Sequence, residues 1–376
     1  MKLTAKVKLQ PTDKQRALLE ATLERANEAC NYISEVAWRE RVFQQFSLHH
    51  LVYHDVRDRF SLGAQMAVRC IAKVADAYKL DRRHKRSFRP DGAISYDSRL
   101  LSWKLDPQQV SIWTLSGREK MLFACGLRQL DLLRGPRGES DLCLIRGEFY
   151  LFCSCEVETP DPTDVDDFLG VDLGVVNIAV DSDGKVHSAR QVNNVRHRHR
   201  RLRKRLQQKG SKSARRRLKK LSGKEHRFAS DVNHCISKSI VEKAERTERG
   251  IALEQLTGIR SRIRARKPQR STLHSWSFAQ LGGFITYKAK RIGVPVSFVD
   301  PAYTSQTCPV CGCVDKKNRP NQSTFSCVSC GHSGLADTIA ARNIAGRAVV
   351  NRPNVSDAHA LRVVQRQGQA PSLAAG

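Results

Sequence analysis

The stretch Phe168-Leu169-Gly170-Val171-Asp172-Leu173-Gly174-Val175-Val176-Asn177-Ile178-Ala179-Val180-Asp181-Ser182-Asp183-Gly184-Lys185-Val186-His187 decides the fold of this 376-residue chain. Its first apolar run reads as a buried strand. The second leads into a hairpin turning at Asp183-Gly184, a dipeptide suited to tight reversal. One carboxylate, Asp172, is embedded in the apolar run, where a charge is costly unless paired or metal-bound. Asp181 and Asp183 read instead as residues of the hairpin turn.

Two more acids stand in comparable places. Glu254 follows Ile251-Ala252-Leu253 in a strand expected over 250–256, and Asp337 opens an expected helix, Ala336-Asp337-Thr338-Ile339-Ala340-Ala341. Hard divalent cations take oxygen ligands, and two of them about 3.5–4 Å apart can carry phosphodiester hydrolysis. Taken singly, each acid reads first as an ordinary strand-end or helix-start residue. Residue patterns alone do not bring the three together.

Between the second and third acids lie Cys308-Pro309-Val310-Cys311-Gly312 and Cys327-Val328-Ser329-Cys330-Gly331. Two such pairs, fifteen residues apart, have the spacing of a four-thiolate zinc ribbon, a closed and therefore structural site. Cys313 and His332 are read as bystanders. Of the twelve cysteines, Cys30, Cys70, Cys125, Cys143 and Cys235 are expected as buried free thiols. Cys153 and Cys155 share one face of a strand with Phe149, Leu151 and Val157. His50 and His54 sit one helical turn apart with no third ligand in view, and read as a helix face.

Toward the N-terminus, Leu3, Ala5, Val7 and Leu9 alternate with polar residues as in a half-buried strand. Thr12 and Gln15 form a capping box for a helix with the apolar stripe Leu19, Leu23, Ala26, Cys30, Ile33 and Ala37. Two more helices are expected between about 47 and 82, carrying Leu51, Val52, Val56 and Phe60, then Met66, Ile71 and Val74. Residues 90–158 read as short β segments, among them Val110–Thr114, Met121–Cys125 and a hairpin turning at Arg146-Gly147. The acidic stretch Thr163–Asp167 reads as a linker, and residues after about 354 as a mobile tail.

Charge points to the partner. Against 37 Asp+Glu stand 65 Lys+Arg, a net charge of +28. Residues 196–220 hold fourteen of the Lys/Arg and no carboxylate. A single-sign block this dense repels itself unless it meets a polyanion, and nucleic acid is the commonest one; an anionic membrane surface is the rival. Arg196, Arg198, Arg200, Arg201, Arg203, Lys204, Arg205, Arg215, Arg216, Arg217, Lys219 and Lys220 are therefore expected phosphate contacts. A second basic run adds Arg260, Arg262, Arg264, Arg266 and Lys267. The N-terminus lacks the apolar core of a secretory signal, and no run of 18 apolar residues occurs, so a soluble protein of the cytoplasm, associated with the nucleoid, is expected. Trp38, Trp103, Trp113 and Trp276 are read as core rather than base-stacking residues.

GVDLGVVNIAV, IALEQLTGIR, TSQTCPVCG…CVSCG and ADTIAARNIA, in that order, closely resemble the TnpB family of transposon-encoded RNA-guided nucleases, relatives of the type V CRISPR effectors. The resemblance covers about 166–350, and KVKLQPTDKQRALLEATLERAN extends it more weakly to the start. It implies an α/β RuvC-like, RNase H-type nuclease domain with an inserted four-cysteine zinc ribbon. That domain is preceded by a wedge β-barrel with an inserted helical recognition lobe. The implied organisation is 1–10, first barrel strand; 11–85, helical lobe; 86–162, remaining barrel; 166–302, nuclease with a basic helical insertion at 190–250; 303–335, ribbon; 336–350, last nuclease helix; and 354–376, tail.

Asp172, Glu254 and Asp337 fall on the family's catalytic acids, and Cys308, Cys311, Cys327 and Cys330 on its zinc ligands. The implied activity is two-metal (Mg²⁺) cleavage of target double-stranded DNA beside a short flanking motif. The implied partners are a guide RNA transcribed from the element and the DNA, with no membrane and no small-molecule substrate. A guided, non-cleaving repressor or transposition regulator is the alternative. One departure motivates it: the family's last motif runs Asp-x-Asn-Ala-Ala-x-Asn, and here Ile339 replaces the first asparagine while Asn343 keeps the second.

Overall fold

In the computed structural model the described residues are 1–256 and 278–350. They fall into two compact units, Met1–Glu158 and the chain from Thr159 onward. The expected tail and the second basic run, with Arg260, Arg262, Arg264, Arg266, Lys267 and Trp276, lie outside the described residues.

The first unit begins with β1 (Lys2–Gln10), followed by α1 (Asp13–Glu40), α2 (Gln45–Phe60) and α3 (Ala64–Leu80). Then come β2 (Ile94–Tyr96), β3 (Leu101–Lys104), β4 (Gln109–Thr114), β5 (Gly117–Ala124), α4 (Leu127–Arg134), β6 (Arg137–Ile145) and β7 (Glu148–Glu156). The strands form one antiparallel sheet in the order β2-β6-β7-β1-β5-β4-β3. The Thr12/Gln15 capping box starts α1 as its residues dictate, with both reciprocal bonds made. Arg146 and Gly147 both take positive φ and close the β6–β7 hairpin in two residues. One apolar core joins the inner face of the sheet to α1, α2 and α3.

Three expectations are corrected here. Leu51 is 48% exposed, and Leu48 holds the buried position on α2 instead. The segment Leu127–Arg134, expected within a run of β segments, is a short helix whose Leu130 and Leu133 face inward. Cys235 is exposed, and Cys125 and Cys143 are only half-buried.

The second unit contains β8 (Phe168–Asp172), β9 (Asn177–Asp181), β10 (Val186–Ser188), α5 (Arg190–Lys209), α6 (Lys212–Leu221), α7 (Lys224–Arg246) and β11 (Gly250–Glu254). After the undescribed stretch come α8 (Phe278–Arg291), β12 (Val296–Val299), β13 (Thr324–Ser326), β14 (Ser333–Leu335) and α9 (Ala336–Val350). The main sheet runs β10-β9-β8-β11-β12. Its first three strands form an antiparallel meander, and β11 and β12 join parallel to β8. The central parallel strands β8 and β11 are buried up to their carboxyl ends, hence the unbroken apolar runs that mark them in the sequence, whereas β12 at the edge is only partly covered. α7 and α8 share a core with this sheet, while α9 packs with Val165, Phe168, Ala252 and Val299. Asp181 is 1% exposed and bound to Lys243 at 2.6 Å; Asp183 is paired with both Lys243 and Arg249. The hairpin acids thus anchor β9–β10 to α7. Among the described residues no helix is long and apolar enough to cross a membrane.

Candidate functional site

The parallel register of β8 and β11 pairs Val171 with Leu253, so Asp172 and Glu254 follow at the carboxyl ends of neighbouring strands. Open α/β sheets bind ligands at that edge. The third acid arrives from above. Asp337 lies in the first turn of α9, and α9 packs on β8 with backbone contact at Gly170.

The electrostatics follow from this crowding. Burial first, then the charges of Glu254 and Asp337, push the Asp172 carboxyl up to about 7, against the opposing pull of Arg319. Burial likewise raises Glu254, partly offset by its hydrogen bond from Thr304 and by the Arg347 charge. Thr304 Oγ1 donates to Glu254 Oε1 at 2.6 Å. Asn177 Nδ2, at the start of β9, donates to Asp337 Oδ2 at 2.9 Å, and the Arg319 guanidinium stands 3.6 Å from Oδ1. Asn343, one turn and a half beyond Asp337, donates to the backbone carbonyls of Thr304 and Thr307, both at 2.7 Å. Thr304, Asn177, Arg319 and Arg347 were not legible as site residues. Only Asn177, a lone amide opening an apolar strand, carried a signal.

The four expected cysteines come together as a cluster able to hold a metal ion. Their Sγ atoms lie within 4.8 Å of one another, with Cys308–Cys330 and Cys311–Cys327 each at 3.6 Å. Among the described residues this is the one group of three or more Cys, His, Asp or Glu donors drawn so close; the three carboxylates stand further apart. Backbone N–H groups of Cys330 and Ser329 point at Cys327 Sγ and hold that thiol down to about 6, favouring the thiolate. Cys313 stays outside the cluster, its carbonyl accepting from Cys308 N. His332 lies against the Phe325 ring.

Ile339 is 2% exposed and packs with Cys308, Phe325, Cys327 and Ala336. The position that departs from the family motif therefore fills the apolar base of the ribbon, which is why an aliphatic side chain suits it.

The basic block forms α5 and α6. His197, Arg200, Arg201 and Lys204 recur at helical spacing and line a groove of about 530 Å³. Arg196, expected on a phosphate, is 12% exposed and bonded to Glu225 at 3.2 Å and Asn193 at 3.0 Å. Arg203 reaches the same glutamate at 3.8 Å.

Residues 152–256 match the family model OrfB_IS605, described as a probable transposase, and residues 278–344 match the Cas12f1-like TNB domain. Over these segments the chain is similar to TnpB-like proteins. It is 40% identical over 129 residues to the CRISPR-associated endodeoxyribonuclease Cas12f1 of Sulfoacidibacillus thermotolerans, covering 34% of this chain and 29% of that one. A TnpB-like protein of Methanocaldococcus jannaschii is 38% identical over 129 residues, 34% of this chain and 45% of its own. This chain thus spans less than half the length of either relative. Its fold is that of a solved Cas12f1 chain from a Cas12f1–sgRNA–target DNA complex, with a TM-score of 0.63 at 16% identity, covering 89% of this chain and 83% of that one.

Proposed function

We propose that this chain is an RNA-guided DNA endonuclease encoded by a transposable element, cutting double-stranded DNA beside a short flanking motif. Asp172, Glu254 and Asp337 would be its catalytic acids, in a RuvC-like nuclease domain. The observation that carries the reading is the meeting of three sequence-distant carboxylates at one buried sheet edge, two on adjacent parallel strands and one on the helix lying over them.

Oxygen donors with excess negative charge in a desolvated place fit hard divalent cations. The three acids would hold them, and bound Mg²⁺ would supply activation of water and neutralisation of charge at the scissile phosphate. The chain's own residues do the rest. Asn177 fixes one oxygen of Asp337 and Thr304 one oxygen of Glu254. Arg319 adds a positive charge beside Asp337. The cysteine cluster would hold one structural zinc: at a Zn–S bond of about 2.3 Å, tetrahedral geometry sets sulfurs about 3.8 Å apart, close to the 3.6 Å of both pairs.

A guide RNA would supply sequence recognition by base pairing, as in the better-known CRISPR effectors. The α5–α6 face, with the run Arg260–Lys267, would neutralise phosphates of the guide or the heteroduplex. The packing of Ile339 in the ribbon core supports the cleaving reading over the non-cleaving alternative. The test is to purify the protein with its co-expressed RNA and offer matched DNA with Mg²⁺. Cleavage is expected, with loss in Asp172→Ala and Glu254→Ala; cleavage surviving either change overturns the assigned site.

A further inference from the structure

We propose that Thr304 is a positioning residue for Glu254 and that Asn343 holds it in that role; this rests on the reading of Glu254 as a catalytic acid. Thr304 is 4% exposed, one of few buried polar residues among the described residues of the second unit, and its hydroxyl donates to Glu254 Oε1. A glutamate at a strand end has three side-chain torsions to lose. A short bond from a buried hydroxyl fixes the carboxylate plane and decides which oxygen is engaged internally.

Thr304 is itself fixed from two sides. The turn Tyr303–Thr307 closes on itself through bonds from Gln306 N and Thr307 N to Tyr303 O. Asn343 spends both amide hydrogens on that turn, one on the carbonyl of Thr304 and one on that of Thr307. Asn343 lies on α9, the helix that carries Asp337, and Thr307 adjoins Cys308 of the cysteine cluster. The orientation of Glu254 is therefore set by the helix bearing the third acid and by the entry of the ribbon. An amide suits this duty because it alone among neutral side chains of that length offers two donors at fixed spacing.

The experiment uses the full chain with its copurified RNA and zinc retained. Equilibrium Mn²⁺ binding is followed by electron paramagnetic resonance, beside cleavage as a function of Mg²⁺ and target-DNA binding. Thr304→Val keeps the shape without the hydroxyl, and Thr304→Ser keeps the hydroxyl. Thr304→Val should weaken Mn²⁺ binding by about 10-fold or more and raise the Mg²⁺ needed for half-maximal cleavage, with DNA affinity unchanged. Thr304→Ser should recover most of the Mn²⁺ affinity, which a merely structural role would not predict. Thr304→Ala repeats the test should the valine variant fold poorly.

Glu254→Gln separates the two readings. If it abolishes Mn²⁺ binding and cleavage while Thr304→Val or Thr304→Ala binds Mn²⁺ like the parent, the role of Thr304 is overturned and that of Glu254 stands. If Glu254→Gln binds Mn²⁺ and cleaves normally, the catalytic reading itself falls, and the positioning role with it.

Discussion

Gly170 and Ala341 meet backbone to backbone: a Cβ at Gly170 would fall 1.9 Å from the carbonyl oxygen of Ala341 and 2.7 Å from Ala345 N. No side chain fits between β8 and α9, so this glycine sets how closely Asp337 can approach Asp172. Gly170→Ala must lift the helix. The expected cost is about 1–3 kcal/mol of stability, as for other overpacked cores. Cleavage should fall by more than the loss of folded protein explains. Thermal unfolding beside single-turnover cleavage checks this; an alanine variant with parental activity would show that the helix seat is not critical.

The raised Asp172 carboxyl predicts a pH signature. From about pH 4, the unfolded carboxyl range, up to about 7, the folded chain keeps a proton that the unfolded chain has released. This group's contribution to stability therefore falls as pH rises through that window and stays lost above it. Asp172→Asn removes the charge. In magnesium-free buffer it should stabilise the protein at pH 8 by on the order of 2 kcal/mol, with the gain fading toward pH 4. Calorimetry across the range checks it, and a pH-independent gain would mean that Asp172 ionises normally.

Ile339→Asn would restore the usual family residue, yet it should harm the protein. It puts an amide among Cys308, Phe325, Cys327 and Ala336. Burying an unpaired amide costs about 1–3 kcal/mol by mutational measures. Zinc should be surrendered to a chelator faster, with no gain in cleavage. A variant that holds zinc as tightly and cuts faster would instead place residue 339 beside the acids.

Guide RNA binding should weaken steeply with salt, with a log–log slope of about 0.7 per single-strand phosphate or 0.9 per duplex phosphate contacted. Replacing Arg200, Arg201 and Lys204, which line the α5 groove, should flatten that slope. Arg196→Gln should instead cost stability, because it removes the closer and more buried of Glu225's two arginine partners. An unchanged slope in the triple variant would make the α5 face a solvated helix surface.

Legibility tracked how far each signal travels along the chain. The Thr12/Gln15 box, the Arg146-Gly147 turn and the cysteine spacing are local, and each was readable because neighbours in sequence are the partners. Asp172 and Glu254 stand out as charges in apolar strands and Asp337 only as the opening of a helix, and their meeting depends on a parallel register and a helix seat that no short window contains. Thr304 was invisible for the same reason: a threonine in a loop looks ordinary until the carboxylate it serves, fifty residues earlier, is known. On α2, Leu48 and Leu51 are one turn apart, and periodicity alone could not say which edge of the stripe faced inward.

The order in which the three acids are strung along the chain has a consequence for synthesis. Asp172 and Glu254 leave the ribosome well before Asp337, whose helix runs to Val350. At about 5–20 residues per second, the nascent protein spends some seconds with two acids at an unroofed sheet edge and no third. A polypeptide still being translated thus carries an incomplete cluster, and the site closes only when its last helix has been made.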